Sequence, residues 1–159
     1  MAGSLVLIQE TTVSSATASV SLVGIDSNFD VYKVVYDNVQ PETDAVNLNV
    51  RFTVSGTPDS SSNYDRAFKK LSASSSFSDI SSTNQNKLRT SGHNTGTGTN
   101  ETANGIIYCF NFNNSSEYSF ITGEETSFGA DTNLRGNQGG GVLTVAQAMA
   151  YNFYFLVET

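Results

Sequence analysis

The chain has no tryptophan, one cysteine, one histidine and two prolines in 159 residues, and each scarcity removes a class of function. A single cysteine excludes an intramolecular disulfide. Cys109 sits inside the apolar run 106–112, where a small buried hydrophobe is expected and not a nucleophile. A single histidine excludes paired-histidine metal sites and leaves any triad dependent on His93, in the Gly/Thr-rich run 91–100. Basic residues are also few: 8 Lys and Arg stand against 15 Asp and Glu, for a net charge of −7 and a pI near 4.4. Beyond Lys69-Lys70 the sequence shows no basic cluster, which argues against nucleic acid and anionic membrane as partners. The run Leu5–Ile8 is too short for a signal-peptide core or a membrane span and lacks a basic flank, so a soluble protein is expected.

What remains is a chain of 38% hydrophobic and only 14% charged residues, whose polar surface comes from Ser, Thr and Asn. Its clearest pattern is Val46–Val54, with Val46, Leu48, Val50, Phe52 and Val54 alternating with Asn47, Asn49, Arg51 and Thr53. That period of two predicts a strand with one buried and one wet face. On this reading Val50→Asp abolishes folding and Asn49→Asp is tolerated. Apolar or alternating runs at Leu5–Gln9, 18–23, Phe29–Tyr36, 106–113, 118–122, 142–145 and 151–157 predict further strands; Tyr64–Leu71 fits either a two-turn helix or a strand with Tyr64, Arg66 and Phe68 on one side, and its β neighbours favour the strand. About eight to ten short strands separated by turn residues, with no helical period, predict an all-β fold, an antiparallel β-sandwich of jelly-roll-like kind. One domain over residues 1–159 is expected, with long polar surface loops at 72–104 and 123–141.

Catalytic chemistry is thin. The glycines at 92, 96 and 98 lack the lysine and the strand-to-helix setting of a phosphate-binding loop. Asp26-Ser-Asn-Phe-Asp30 imitates the start of a calcium loop, but Val31 stands where glycine is needed and a turn is the better reading. Glu124, Glu125 and Asp131 could supply the two carboxylates of a glycosidase, although acidic loop residues in an acidic protein are usually only solvated. No catalytic residue, metal or cofactor is therefore expected. Sugar-binding sandwiches present aromatic rings among amide groups, and Tyr64, Tyr108, Tyr118, His93 and Asn100 beside the irregular stretches are the candidate contacts for a partner or glycan.

Four stretches together, 5–14, 21–32, 50–56 and 140–148, resemble a group of small β-rich virion proteins of tailed phages, marine ones especially. The shared features are an apolar start, a Ser/Thr bend and an Ile-Asp-Ser turn into a Tyr-containing strand. The resemblance implies a non-enzymatic structural protein on the outer surface of the virion: a capsid decoration or head-protrusion protein, or alternatively a tail-associated fibre or host-glycan-binding module. Its partners would be phage capsid or tail proteins, with host glycan for the second reading; monomer and homo-oligomer both fit. Similar proteins continue past Val145-Ala-Gln-Ala through a Ser-Gly-Asn turn to a last strand, whereas this chain ends after 151–159. The resemblance thus predicts a sheet edge left open at the C-terminus and covered by a neighbour.

Overall fold

The computed structural model describes residues 5–147 and the backbone of residues 151–158. Eleven strands form two antiparallel sheets, and the all-β sandwich expectation holds. The first sheet contains β1 (Ser19–Ile25), β3 (Asn47–Val54), the two-residue strands β4 (Thr57–Pro58) and β7 (Leu88–Arg89), and β11 (Tyr151–Glu158). The second runs in the order β2 (Val31–Val39), β8 (Ala103–Phe110), β9 (Ser119–Phe128), β10 (Leu134–Leu143), β5 (Tyr64–Ser72) and β6 (Ser78–Gln85).

The two sheets close on one core. Leu48, Val50 and Phe52 of β3 pack with Tyr32 and Val34 of β2, Ile107 and Cys109 of β8, Ile121 of β9 and Leu143 of β10. Phe52 is its hub: its ring lies 4.6 Å from that of Phe112 and 5.5 Å, edge-on, from that of Tyr64. The alternation in Val46–Val54 thus points its apolar residues as expected, but the opposite face is not uniformly wet, because Asn49 and Thr53 are buried. Asn49 stands opposite Arg89 in the β3–β7 register, so a segment from the predicted polar loop folds back over it.

Four expectations need correction. Residues 72–104 are not a surface loop: β6 pairs with β5, β7 pairs with β3, and Leu88 is fully buried. The Thr90 and Ser91 N–H groups both donate to the Leu48 carbonyl, at 3.0 and 3.3 Å, and Val46 and Thr95 exchange backbone bonds. Residues 123–141 are likewise two long strands joined by the short turn 129–133. The glycines at 139–141 serve close packing: a Cβ on Gly139 would stand 2.3 Å from the Ala67 carbonyl oxygen. Leu5–Gln9 forms no strand; the Gln9 side-chain amide, instead of its backbone, bonds Val23 N–H and the Ser21 carbonyl on the edge strand β1. Finally, the C-terminal strand leaves no open edge, because β11 lies between β1 and β3 and pairs with both.

Two substitutions test this packing. Val50 is wholly buried, so Val50→Asp yields no folded protein; a soluble, cooperatively unfolding variant would reverse the facing assigned to β3. Gly139→Ala lowers stability by roughly 2 kcal/mol or more in chemical denaturation, because backbone and not a mobile side chain blocks the new methyl. Neutrality of that change would place residues 139–141 outside the sheet.

Candidate functional site

Three features of the molecule are candidates for function: a buried polar cluster, a surface row of apolar side chains and a basic cleft. The cluster begins with β9, whose alternation sends Glu124 outward and Glu125 inward. Adjacent residues on one strand cannot share a substrate, so the two glutamates do not form a catalytic pair. Glu124 accepts a bond from Gln138 Nε2 at 2.8 Å on the surface, and Asp131 sits in the β9–β10 turn, ion-paired with Arg135. The three carboxylates are thus dispersed, and the loop setting expected for the glutamates is replaced by a strand.

Glu125 is only 4% exposed. The Tyr36 hydroxyl on β2 donates to its Oε2 at 3.0 Å, and the Tyr36 ring crosses the β8 backbone over Gly105, where a Cβ would come within 2.4 Å of the ring. Burial pushes the Glu125 carboxyl up to about 7, against the lowering pull of Tyr36, the Gly92 N–H, the Arg89 charge and Ser127. Burial, joined by the Glu125 charge, raises the Tyr36 phenol well above its usual range.

His93 lies beside this cluster in sequence, on the 90–95 segment, among the charges of Lys70, Arg135, Asp131 and Arg89. Its Nε2 is buried without a hydrogen-bond partner, and burial followed by the nearby Lys70 and Arg135 charges brings it down to about 4. Asn137 on β10 ties the cluster to that segment through a bond from Nδ2 to the Thr90 carbonyl. The void beside Tyr36, Thr90 and Ile121 measures about 10 Å³, room for at most one water molecule. Such a cluster can hold a proton.

The candidate contact residues prove scattered. Tyr64 is fully buried: its hydroxyl accepts the Phe52 N–H at 3.2 Å and donates to the Asp59 carbonyl at 3.0 Å, so its ring cannot meet a ligand. A tyrosine at the start of a strand reads the same in sequence whether it packs inward or outward. His93 is half-buried on the 90–95 segment, and Asn100 is exposed in a turn with φ of 70°, remote in sequence from Tyr118. Tyr118 and Tyr108 are exposed on the six-stranded sheet and the turn that enters β9.

The second feature lies there. On the outward face, cross-strand partners Val31, Phe110, Phe120 and Val142 line up across β2, β8, β9 and β10. Val31 and Phe120 are exposed, as is Phe29 in the turn before β2, and Asn113 Nδ2 donates to the Phe29 carbonyl at 2.9 Å, fastening two turns at this end. This row escaped sequence reading because it exists only once the register of four strands is known. The third feature, between β3, β7, β5 and β6, is lined by Arg66, Lys87 and Arg89 with Asn47, Asn49 and Gln85.

Among the described residues no group of three or more His, Cys, Asp or Glu could hold a metal ion, and no helix is long and apolar enough to cross a membrane. Asp26 instead caps a turn, its Oδ1 accepting the Asn28 N–H at 2.9 Å. The chain matches no protein-family model, and neither a curated protein nor a solved structure is significantly similar to it.

The two shifted groups pull stability in opposite directions with pH. Glu125, raised from 4.5 to about 7, favours the folded state fully below 4.5 and loses that contribution, on the order of 3 kcal/mol, as pH rises through about 7. His93, lowered from 6.5 to about 4, contributes above 6.5 and loses its share as pH falls toward 4. Thermal unfolding of Glu125→Gln should therefore gain on wild type as pH rises from about 5 to about 7.5, and His93→Gln should gain as pH falls over the same range. Parallel curves for all three proteins would mean that neither group's proton affinity differs between the folded and unfolded states.

Proposed function

We propose that this protein is a non-enzymatic structural component of a tailed-phage virion, a capsid decoration or head-protrusion protein held on the outer shell. The observation that carries the reading is the apolar row Val31–Phe110–Phe120–Val142 on the outward face of the six-stranded sheet. Apolar side chains aligned on a solvent-facing sheet mark a surface built to meet another protein. The resemblance of residues 5–14, 21–32, 50–56 and 140–148 to small phage virion proteins supports the same place. So does the exposed run Leu5–Ile8, in which Leu5 is 83% exposed beside the edge strand β1. On this reading the buried Glu125 cluster is structural, with Glu125 4% exposed and bonded to Tyr36.

The second reading, a tail-associated module that binds host glycan, is favoured by exposed Tyr108 and Tyr118, whose rings lie near the amides of Asn111 and Asn113 along the chain. Location and copy number separate the two. Electron cryomicroscopy of purified virions should show the protein in many copies on the head, and Phe120→Asp should fold normally yet be lost from the particle. A few copies at the tail would favour the glycan reading, and absence from virions would overturn both.

A further inference from the structure

The acidic chain concentrates positive charge in one place. Arg66 of β5, Lys87 between β6 and β7, and Arg89 of β7 are three of its eight basic residues, and they line a single cleft of about 250 Å³. Its remaining polar lining is amide: Asn47 and Asn49 of β3 and Gln85 of β6. Among the described residues no carboxylate lines it.

The two guanidinium groups are held in place by neutral partners. Arg66 Nε donates to the Ser82 hydroxyl at 2.8 Å, while Arg89 Nε donates to the Ser91 carbonyl at 2.7 Å and its Nη2 to the Gly92 carbonyl and Asn94 Oδ1 at 3.4 Å each, and neither arginine is in an ion pair among the described residues. Both are partly desolvated: burial lowers Arg66, and burial followed by the Arg66 charge lowers Arg89, with Glu125 opposing. Gathering like charges in a cleft is unfavourable for the free protein and becomes favourable when an anion enters.

We propose that this cleft binds a saccharide unit bearing an acidic group, a carboxylate or a sulfate. Guanidinium groups match the planar or tetrahedral oxyanion through paired N–H donors. Asn49 Nδ2 donates to the Asn47 carbonyl at 3.1 Å and Gln85 Nε2 to the Thr83 carbonyl at 2.9 Å, so each keeps a second amide proton and its oxygen for a ligand, the mixed donors and acceptors that sugar hydroxyls require, where a bare inorganic anion would use donors alone. The volume suits one sugar ring and falls below that of most drug-sized sites. The inference does not depend on a virion location. The cleft also lies apart from the tyrosines considered for glycan binding, since none of them lines it.

Titration followed by amide NMR tests it, with glucuronate, glucose 6-sulfate, neutral glucose and inorganic sulfate as probes. The acidic sugars should shift the side-chain amide signals of Asn47, Asn49 and Gln85, and affinity should fall with added salt. Neutral glucose should shift nothing, and inorganic sulfate should bind at least tenfold more weakly. Arg66→Gln should cost about tenfold or more in affinity with thermal stability retained. Asn49→Asp should fold, since its new carboxylate faces cations, and should lose binding by occupying the cleft. No shift from either acidic sugar, equal binding of glucose, equal binding of sulfate, or unchanged affinity in both variants would overturn the proposal.

Discussion

The backbone ladder that β11 makes to both β1 and β3 is the contact on which the rest of the molecule depends. Residues Tyr151–Leu156 pair with Ile25–Ser19 on one side, and Phe153–Glu158 pair with Phe52–Asn47 on the other. Without that strand β1 and β3 would each lose a row of backbone hydrogen bonds, and the apolar face of β3 would cover the six-stranded sheet alone. The last segment of the chain thus completes the first sheet in its interior. Non-local pairing of this kind is closed late and at an entropic cost, which the packing around Phe52 must offset.

The other edge of β3 is closed by different means. Residues 88–95 attach through the Leu48 carbonyl and the Val46–Thr95 bridge, with Leu88 inserted into the core. Beneath them lie Glu125, Tyr36 and Asn137, an interior layer of polar groups in which Asn137 Oδ1 has no partner among the described residues. A layer like this makes the fold sensitive to protonation, while Arg89 is held by its own segment, through the Ser91 and Gly92 carbonyls and Asn94 Oδ1. The same segment therefore contributes both to core closure and to the basic cleft.

Where apolar residues alternate, the sequence was readable. The facing of Val50 and Phe52 and the sandwich class follow from period-two burial, whereas Tyr64–Leu71 fits helix or strand alike and only its β neighbours favour the strand it forms. What escaped reading was burial without apolar pattern. Residues 90–95 are Ser, Thr, Gly, His and Asn and are held by hydrogen bonds, so nothing in their composition distinguishes them from a solvated loop. The 139–141 glycines signal flexibility in sequence yet are selected by a backbone that passes within 2.3 Å of where a Cβ would stand. The cleft was illegible for a related reason: Arg66, Lys87 and Arg89 look like ordinary surface charges until two sheet edges bring them to Asn47 and Asn49.

A chain that closes its own first sheet has surfaces to spare for others, and this is the link between the fold and the proposed role on a virion. The apolar row on the six-stranded sheet and the basic cleft lie on separate parts of the molecule, so attachment and ligand capture need not compete. Everything rests on β11 being held within the isolated protein. Amide hydrogen exchange of the free monomer measures this directly: the account predicts that amides of residues 151–158 exchange as slowly as those of β3, at the rate of global unfolding. Exchange at loop rates in the monomer, with protection appearing only on self-association or partner binding, would contradict it.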